Sequence, residues 1–373
     1  MSDSARQESS PLSSAQQRLW FFWQLRPDGS EYNVPKATRL HGPLDPAAME
    51  RAVARLAERH SLLRATFPLV DGVPVLRIAP GATVPFTVTD LSDLPAPARE
   101  RALDEQVDRL ALGSFDLVHG PVFRAGLIRL AADDHVLVLA FHHIVVDGWS
   151  MGIVERDLGL DYTAALEGRT DAPPAAPHDY RDYAAEERRM LAGPRRAEAM
   201  AYWRGQLDGA PAQLSMPTDW PHPGVQSNAG DARSFQLPPQ LAQQAQTLSV
   251  RQRVTKFVLL LGAYAALLSR LSGAEEVVIG VPVSGRTTLD VEGIVGLFVN
   301  MLPVRVRLRP GITFAELLLQ VRDTFLAGHE YQDLPFQQVV EELQPDRLTS
   351  RHPVFQSVFT YEDVVAAPCG FPV

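Results

Sequence analysis

The feature that most constrains this chain is the stretch from Pro121 to Gly148, "PVFRAGLIRLAADDHVLVLAFHHIVVDG". Two apolar runs of strand length are separated by a polar step at Asp133 and Asp134, so the spacing predicts two strands joined by a turn. The second strand runs directly into His142 and His143, and the next segment, "GWSMGIVERDLGLDYTAALEG", has a helical pattern that begins just after Gly148. HHIVVDG therefore sits at a strand-to-helix junction, where backbone N–H groups lack helical partners and where sites commonly lie. Adjacent strand residues point to opposite faces, so at most one of the two histidines can face a given cavity. The alternation of Val136, Val138 and Ala140 against Leu137, Leu139 and Phe141 does not say which, because both faces are apolar.

The surrounding sequence supplies helices and a hairpin with clear punctuation. "SSAQQRLWFFWQLRPDG" places Gln16 three residues after Ser13, the pattern of a capping box, with Leu19, Trp20, Phe22 and Trp23 forming a broad apolar face. "PLDPAAMERAVARLAERH" has Asp45 as N-cap and Pro46 at the first helical position, burying Met49, Val53 and Leu56. In "LLRATFPLVDGVPVLRI", Asp71 and Gly72 between short apolar runs predict a hairpin. "TDAPPAAP" reads as a linker, followed by two helices rich in Arg and Glu that reach about Leu207. Beyond it come a strand "ARSFQL", helices "PQLAQQAQTLS" and "TKFVLLLGAYAALLSRL", a strand "EVVIGVPVS", a Gly-containing loop, a strand "LPVRVRL" and a helix "TFAELLLQVRDTFLAGHE". The expectation is a leader at 1–10, an N-terminal lobe at 11–172 and a C-terminal lobe at 173–373. The fold class is α+β, each lobe a mixed sheet with packed helices.

At 373 residues, with 46% hydrophobic and 21% charged residues, the chain has ordinary globular composition and more length than one core usually holds. A net charge of -9 and the lack of a basic stripe disfavour nucleic acid and anionic membrane surfaces as partners. Cys369 is the single cysteine, which excludes an internal disulfide and a cysteine zinc site and fits a cytoplasmic location. The polar N-terminus lacks the apolar core of a signal peptide, and "TKFVLLLGAYAALLSRLSG" is too short between its charges to span a bilayer. His-His-x-x-x-Asp lacks the same-face spacing of helical zinc motifs, so no metal is expected.

Seven segments, in order, carry a resemblance to a known family: "SSAQQRLWFFWQL", "RHSLLRATF", "HHIVVDG", "YRDYA", "IVGLFVNMLPVR", "YQDLPFQQVV" and "RLTSRHPVFQSVFT". Together they cover nearly the whole chain and resemble the core motifs of the condensation domains of nonribosomal peptide synthetases, in the superfamily of chloramphenicol acetyltransferase. Ala15, Gln16, Arg18, Leu19 and Trp20 are similar to the pattern of domains that join an L-configured donor to an L-configured acceptor. The resemblance implies two chloramphenicol-acetyltransferase-like lobes in a V, with a tunnel entered by phosphopantetheine arms of upstream and downstream carrier proteins. It implies amide formation between a donor acyl or peptidyl thioester and an acceptor aminoacyl thioester, in antibiotic or siderophore biosynthesis. No cofactor is expected on the domain itself. Neighbouring synthetase domains are expected partners, and the isolated chain is expected to be a monomer.

In that family the second histidine, His143 here, faces the tunnel, and His142 is its buried neighbour. An α-amino group has a reference pKa of about 7.7 to 8.0, so neutralising it near pH 7 costs only about 1 kcal/mol. The larger need is to take a proton from the nitrogen as it attacks, or to hold it in line, and an imidazole suits either role. Gly148, small and at a helix start, is the expected N–H donor to the thioester oxyanion. Asp147 reads as a structural residue that pairs with an arginine, for which Arg64 and Arg286 both stand in matching motifs. Trp149, Ser150 and Asn300 are expected along the tunnel, although Trp149, Trp203 and Trp220 also read as packing residues. His60, His119, His178 and His352 read as structural.

Several residues depart from the family pattern. Met301 replaces a usual Thr, Tyr331 a usual His or Asn, and Gln337 a usual Glu, and the last two put ion pairing at their positions in question. Family domains continue beyond "VFTYED", so the chain reads as truncated in its second lobe. Epimerisation domains need a second-lobe glutamate motif that is missing, and heterocyclisation domains carry aspartates in place of the histidines. Silent recruiting domains lose the second histidine. An acyltransferase to an alcohol shares HHxxxDG but not the other motifs. A carrier-protein binding module without activity is the alternative from a different class.

Overall fold

The computed structural model describes residues 9–79, 81, 83–169, 178–221, 230–343 and 352–362. Its described residues fall into two compact units, one from Met1–Arg189 with Arg286–Phe298, the other from Met190–Gly285 with Val299–Asp363.

In the first unit, β1 (Ser9–Pro11) precedes α1 (Ser14–Leu25), and Ser13 caps that helix through the expected reciprocal box with Gln16. Ser9 and Ser10, which the sequence assigns to the leader, pair with Arg77 and Leu76. Next come β2 (Asn33–His41) and α2 (Pro46–Arg59), the latter capped by Asp45 with Pro46 in its first turn. A small sheet holds β3 (Ala65–Thr66), β4 (Leu69–Val70) and β5 (Val73–Ile78). Asp71 and Gly72 link β4 to β5 with φ values of 52° and 79°, the left-handed pair of a type I′ turn.

The main sheet is built on β6 (Phe86–Asp90), β7 (Phe123–Ala131) and β8 (Asp134–His142), with α3 (Ala96–Leu112) between β6 and β7. Strand order is β2-β8-β7-β6, with β8 antiparallel to both neighbours and β6 parallel to β7. Val136 and Val138 pack with Leu103 in a core that α3 flanks through Ala102, Val107 and Leu110, which settles the face that apolar alternation left open. His142 shares that parity. α4 (Gly148–Leu166) follows, and α5 (Tyr180–Ala192) begins after the region 170–177, which lies outside the described residues and contains the expected linker.

In the second unit α6 (Pro194–Leu207), α7 (Pro239–Gln252) and α8 (Lys256–Ser272) lead into β9 (Glu276–Val283). β10 (Asn300–Arg307), α9 (Phe314–Glu330) and α10 (Phe336–Leu343) complete it. β9 and β10 pair antiparallel, Ile279 opposite Val304, and Leu261, Ala265 and Val321 cover them. The expected strand "ARSFQL" does not form: residues 232–237 are exposed, with Phe235 83% accessible, and pair with no strand among the described residues. An alternating pattern alone does not make a strand without an edge to receive it. Among the described residues no single helix is long and apolar enough to cross a membrane.

Candidate functional site

β8 ends at His142, and a 3₁₀ turn, His143–Val145, begins at once. The two histidines are therefore separated by a change of backbone conformation, where the sequence suggested two residues of one strand. His142 is 4% exposed, with its ring edge-on to Phe115 and tilted against Tyr32. Its Nδ1 accepts the Ile144 N–H at 3.1 Å. Burial, followed by the charge of neighbouring His143, pushes its pKa down to about 3, so the ring stays neutral.

His143 is half-buried, and its backbone N–H donates to the Tyr32 carbonyl at 2.8 Å. Its Nδ1 lies 2.7 Å from the Val146 carbonyl oxygen. A carbonyl only accepts, so Nδ1 carries the proton and Nε2 keeps its lone pair in the neutral ring. The local turn thereby selects the tautomer that can take a proton at Nε2.

Asp147 is the N-cap of α4 and is 2% exposed. Its Oδ1 accepts the Ser150 N–H at 2.8 Å and the Arg286 Nη2 at 3.3 Å, and its Oδ2 accepts the Phe298 N–H at 3.0 Å. The Arg286 guanidinium also donates to the carbonyls of Val291 and Ile294 and lies 3.9 Å over the Phe298 ring. Arg286 is therefore the arginine that meets Asp147. Arg64 is not: it donates to the carbonyls of Ala57 and Ala79 and braces the chain around β3.

Ser150 is fully buried. Its hydroxyl stands 2.7 Å from Asp147 Oδ1 and accepts the Gly296 N–H at 3.0 Å, so it braces the start of α4. Trp149 is 50% exposed and hangs from the Glu292 carbonyl by its indole N–H. Gly148 heads α4 on the exposed side, and a Cβ built on it meets nothing within 4 Å. Its N–H belongs to the first turn, which has no intrahelical acceptor.

The sequence-distant motifs of the first unit converge on this junction. Gln16 is fully buried and donates its Nε2 to the Ile144 carbonyl at 3.2 Å. Tyr180, from "YRDYA", donates to the Leu297 carbonyl and sits 2.8 Å from the Ser13 hydroxyl. Glu187 accepts the Ser14 N–H at 2.6 Å, and burial raises its pKa. Sequence reasoning marked the segments of Ser13, Gln16 and Tyr180 as motifs but gave Tyr180 no part, and Glu187 lay outside them. No periodicity carries such a signal, because each bond joins residues far apart in the chain.

Asn300 belongs to the second unit. Its amide bonds the carbonyls of Gln332 and Leu334 and the N–H of Phe336, so it ties β10 to the start of α10, and its polar capacity is spent there. Near Tyr331, Asp333 lies 2.9 Å from Arg195, and Tyr331 stacks on Tyr202. Trp203 is 2% exposed and packs as expected, whereas Trp220 is 82% exposed and does not. His60 meets Asp157, His119 meets Asp116, and His352 stacks on Phe336. His178 is partly exposed, 3.9 Å from Asp182. Among the described residues no group of His, Cys, Asp and Glu is placed to hold a metal ion.

A family profile described as Condensation domain matches residues 6–366. The chain belongs to the condensation-domain family. It is 41% identical over 353 residues to the phosphinothricin tripeptide synthetase PhsC of Streptomyces viridochromogenes, covering 95% of this chain and 32% of that protein. It is 40% identical over 359 residues to the malpinin synthetase of Mortierella alpina, covering 96% of this chain and 5% of that protein. The chain thus spans about a third or less of these relatives. Among solved structures, the X-domain from teicoplanin biosynthesis superposes with a TM-score of 0.84 at 28% identity, over 94% of this chain and 77% of that one. The first condensation domain of the calcium-dependent antibiotic synthetase, in complex with a substrate analogue, gives 0.76 at 27%, over 94% and 80%. These likenesses bear out the α+β condensation-domain fold.

Proposed function

We propose that this condensation domain forms an amide between a donor acyl or peptidyl thioester and the amine of an acceptor aminoacyl thioester. The observation that carries the reading is the His143 tautomer, with Nδ1–H given to Val146 and Nε2 left as an acceptor. The amine nitrogen attacks the thioester carbon, Nε2 takes or orients the nitrogen's proton, and the oxyanion meets the Gly148 N–H. The tetrahedral species collapses with cleavage of the C–S bond, and the proton leaves with the donor thiol. Asp147 and Arg286 take no part in proton transfer; their bonds hold the junction in shape.

Both thioesters come on phosphopantetheine arms of upstream and downstream carrier proteins, and the domain works beside other synthetase domains in the cytoplasm. Ala15, Gln16, Arg18, Leu19 and Trp20 favour an L-configured donor and an L-configured acceptor. The test mixes the domain with aminoacyl thioesters loaded on two carrier proteins and follows the acceptor by mass spectrometry. Amide that appears with the native chain and vanishes in His143→Ala supports the reading. Carrier binding without amide overturns it in favour of a binding module.

A further inference from the structure

We infer that Gln16 is a positioning residue for His143, acting through the Ile144 carbonyl. The inference rests on the reading of His143 above and extends it to a side chain from another element. The 3₁₀ turn His143–Val145 is largely self-contained: Val146 N–H returns to the His143 carbonyl, Ile144 N–H goes to His142 Nδ1, and His143 Nδ1–H goes to the Val146 carbonyl. Outside contacts therefore decide how the turn is placed. Upstream, Tyr32 holds the His143 N–H. Within the turn, Gln16 Nε2 holds the Ile144 carbonyl, and both residues are 0% exposed, so no water can substitute.

Gln16 is itself fixed. Its Oε1 accepts the Ser13 N–H at 3.3 Å, and its own N–H donates to the Ser13 hydroxyl at 3.2 Å. That hydroxyl meets Tyr180, whose own O–H reaches the Leu297 carbonyl, next to Phe298, which in turn donates its N–H to Asp147. One buried polar chain thus ties residue 144 at one end of the junction to residue 147 at the other. The distance between the His143 ring and the Gly148 N–H is set between those two anchors. At neutral pH a glutamine meets the demand to accept from Ser13 and donate to Ile144 with one side chain.

The experiment uses Gln16→Met, nearly the same shape without either bond, and Gln16→Glu. In Gln16→Met the amide-forming kcat is expected to fall about a hundredfold, the scale of a small misplacement, while the acceptor KM stays within about twofold. The decisive readout is ¹⁵N NMR of the His143 ring at about pH 8.5. Both chains keep the Nδ1–H form that the Val146 carbonyl imposes, and in Gln16→Met the ring resonances of His143 move from their native positions. Gln16→Glu regains the bond only when its carboxyl is protonated and donates to Ile144, so its activity relative to the native chain rises as pH falls. An unchanged His143 signature in Gln16→Met overturns the inference, as does a kcat loss that only tracks thermal stability. A native chain that makes no amide overturns the proposed function instead, and the NMR comparison still decides the role of Gln16.

Discussion

The His143 Nδ1 is bonded to the Val146 carbonyl across three residues at 2.7 Å, which fixes both the ring's plane and its tautomer before any substrate arrives. His143→Ala removes the acceptor at Nε2 and is expected to lower amide formation by about a hundred- to ten-thousandfold. The ring is only half-buried, so thermal stability should change little. Single-turnover assays beside a thermal melt separate the two effects. An active, stable His143→Ala would remove His143 from the chemistry.

His142 predicts a pH dependence of stability. Its folded pKa of about 3 lies below the reference value near 6.5, so between those values the unfolded chain binds a proton that the folded chain excludes. Stability from this site is complete above about pH 6.5 and declines as pH falls, by up to about 1.4 kcal/mol per pH unit. Asparagine can keep the acceptor for the Ile144 N–H without titrating. Urea midpoints of His142→Asn should therefore fall less steeply between about pH 6.5 and 4 than those of the native chain. Parallel curves would show that other groups govern the acid side.

The Asp147–Arg286 pair is buried to 2% and 1% at its side chains, and each partner also holds backbone groups. Removing one charge strands the other, at a typical cost of about 3 to 5 kcal/mol. Asp147→Ala and Arg286→Ala should both be strongly destabilised and inactive. Activity lost from Asp147→Ala at native stability would instead give the carboxylate a chemical part.

What the sequence made legible here is local. The Ser13–Gln16 box, the Asp45 cap and the Asp71–Gly72 turn are fixed by residues within a few positions of one another, and all three form. The choice between Arg64 and Arg286 is not local. Both stand in motifs, and only the packing of the Arg286–Phe298 segment with the first unit brings Arg286 to Asp147. Ser150 shows the same limit: its pattern is that of a helix start, and its burial comes from Gly296, far along the chain. Residues 232–237 failed as a strand for the complementary reason, since pairing depends on an edge elsewhere.

Gly296 predicts a steric outcome. A Cβ there would lie 2.2 Å from Tyr180 Cδ2, and the Tyr180 ring is held by its bonds to Leu297 and Ser13. Gly296→Ala should cost about 1 to 3 kcal/mol through overpacking. Gly262→Ala is the comparison: its Cβ meets the end of the Leu318 side chain at 2.8 Å, and a leucine methyl moves aside more readily than a bonded ring. Thermal melts should rank Gly296→Ala as the more damaging change, and a reversed order would mean that the Tyr180 ring is free to shift.

Gly148→Ala separates fold from chemistry. The position is the first of α4, its φ lies outside the left-handed region, and an added Cβ touches nothing within 4 Å. Replacing glycine there should leave stability unchanged or raise it by up to about 1 kcal/mol, because alanine loses less freedom on entering a helix. The methyl group nevertheless occupies the space beside the N–H that a thioester oxygen must enter. If that N–H stabilises the oxyanion, kcat should drop on the order of a hundredfold, the scale of losing one such donor, while carrier binding is kept. A melt, a carrier-binding measurement and a single-turnover rate on the same preparation decide the matter. Native rates in a stable Gly148→Ala would mean that the oxyanion is met elsewhere, and His143 would then be the sole residue of HHIVVDG with a claim on the reacting atoms.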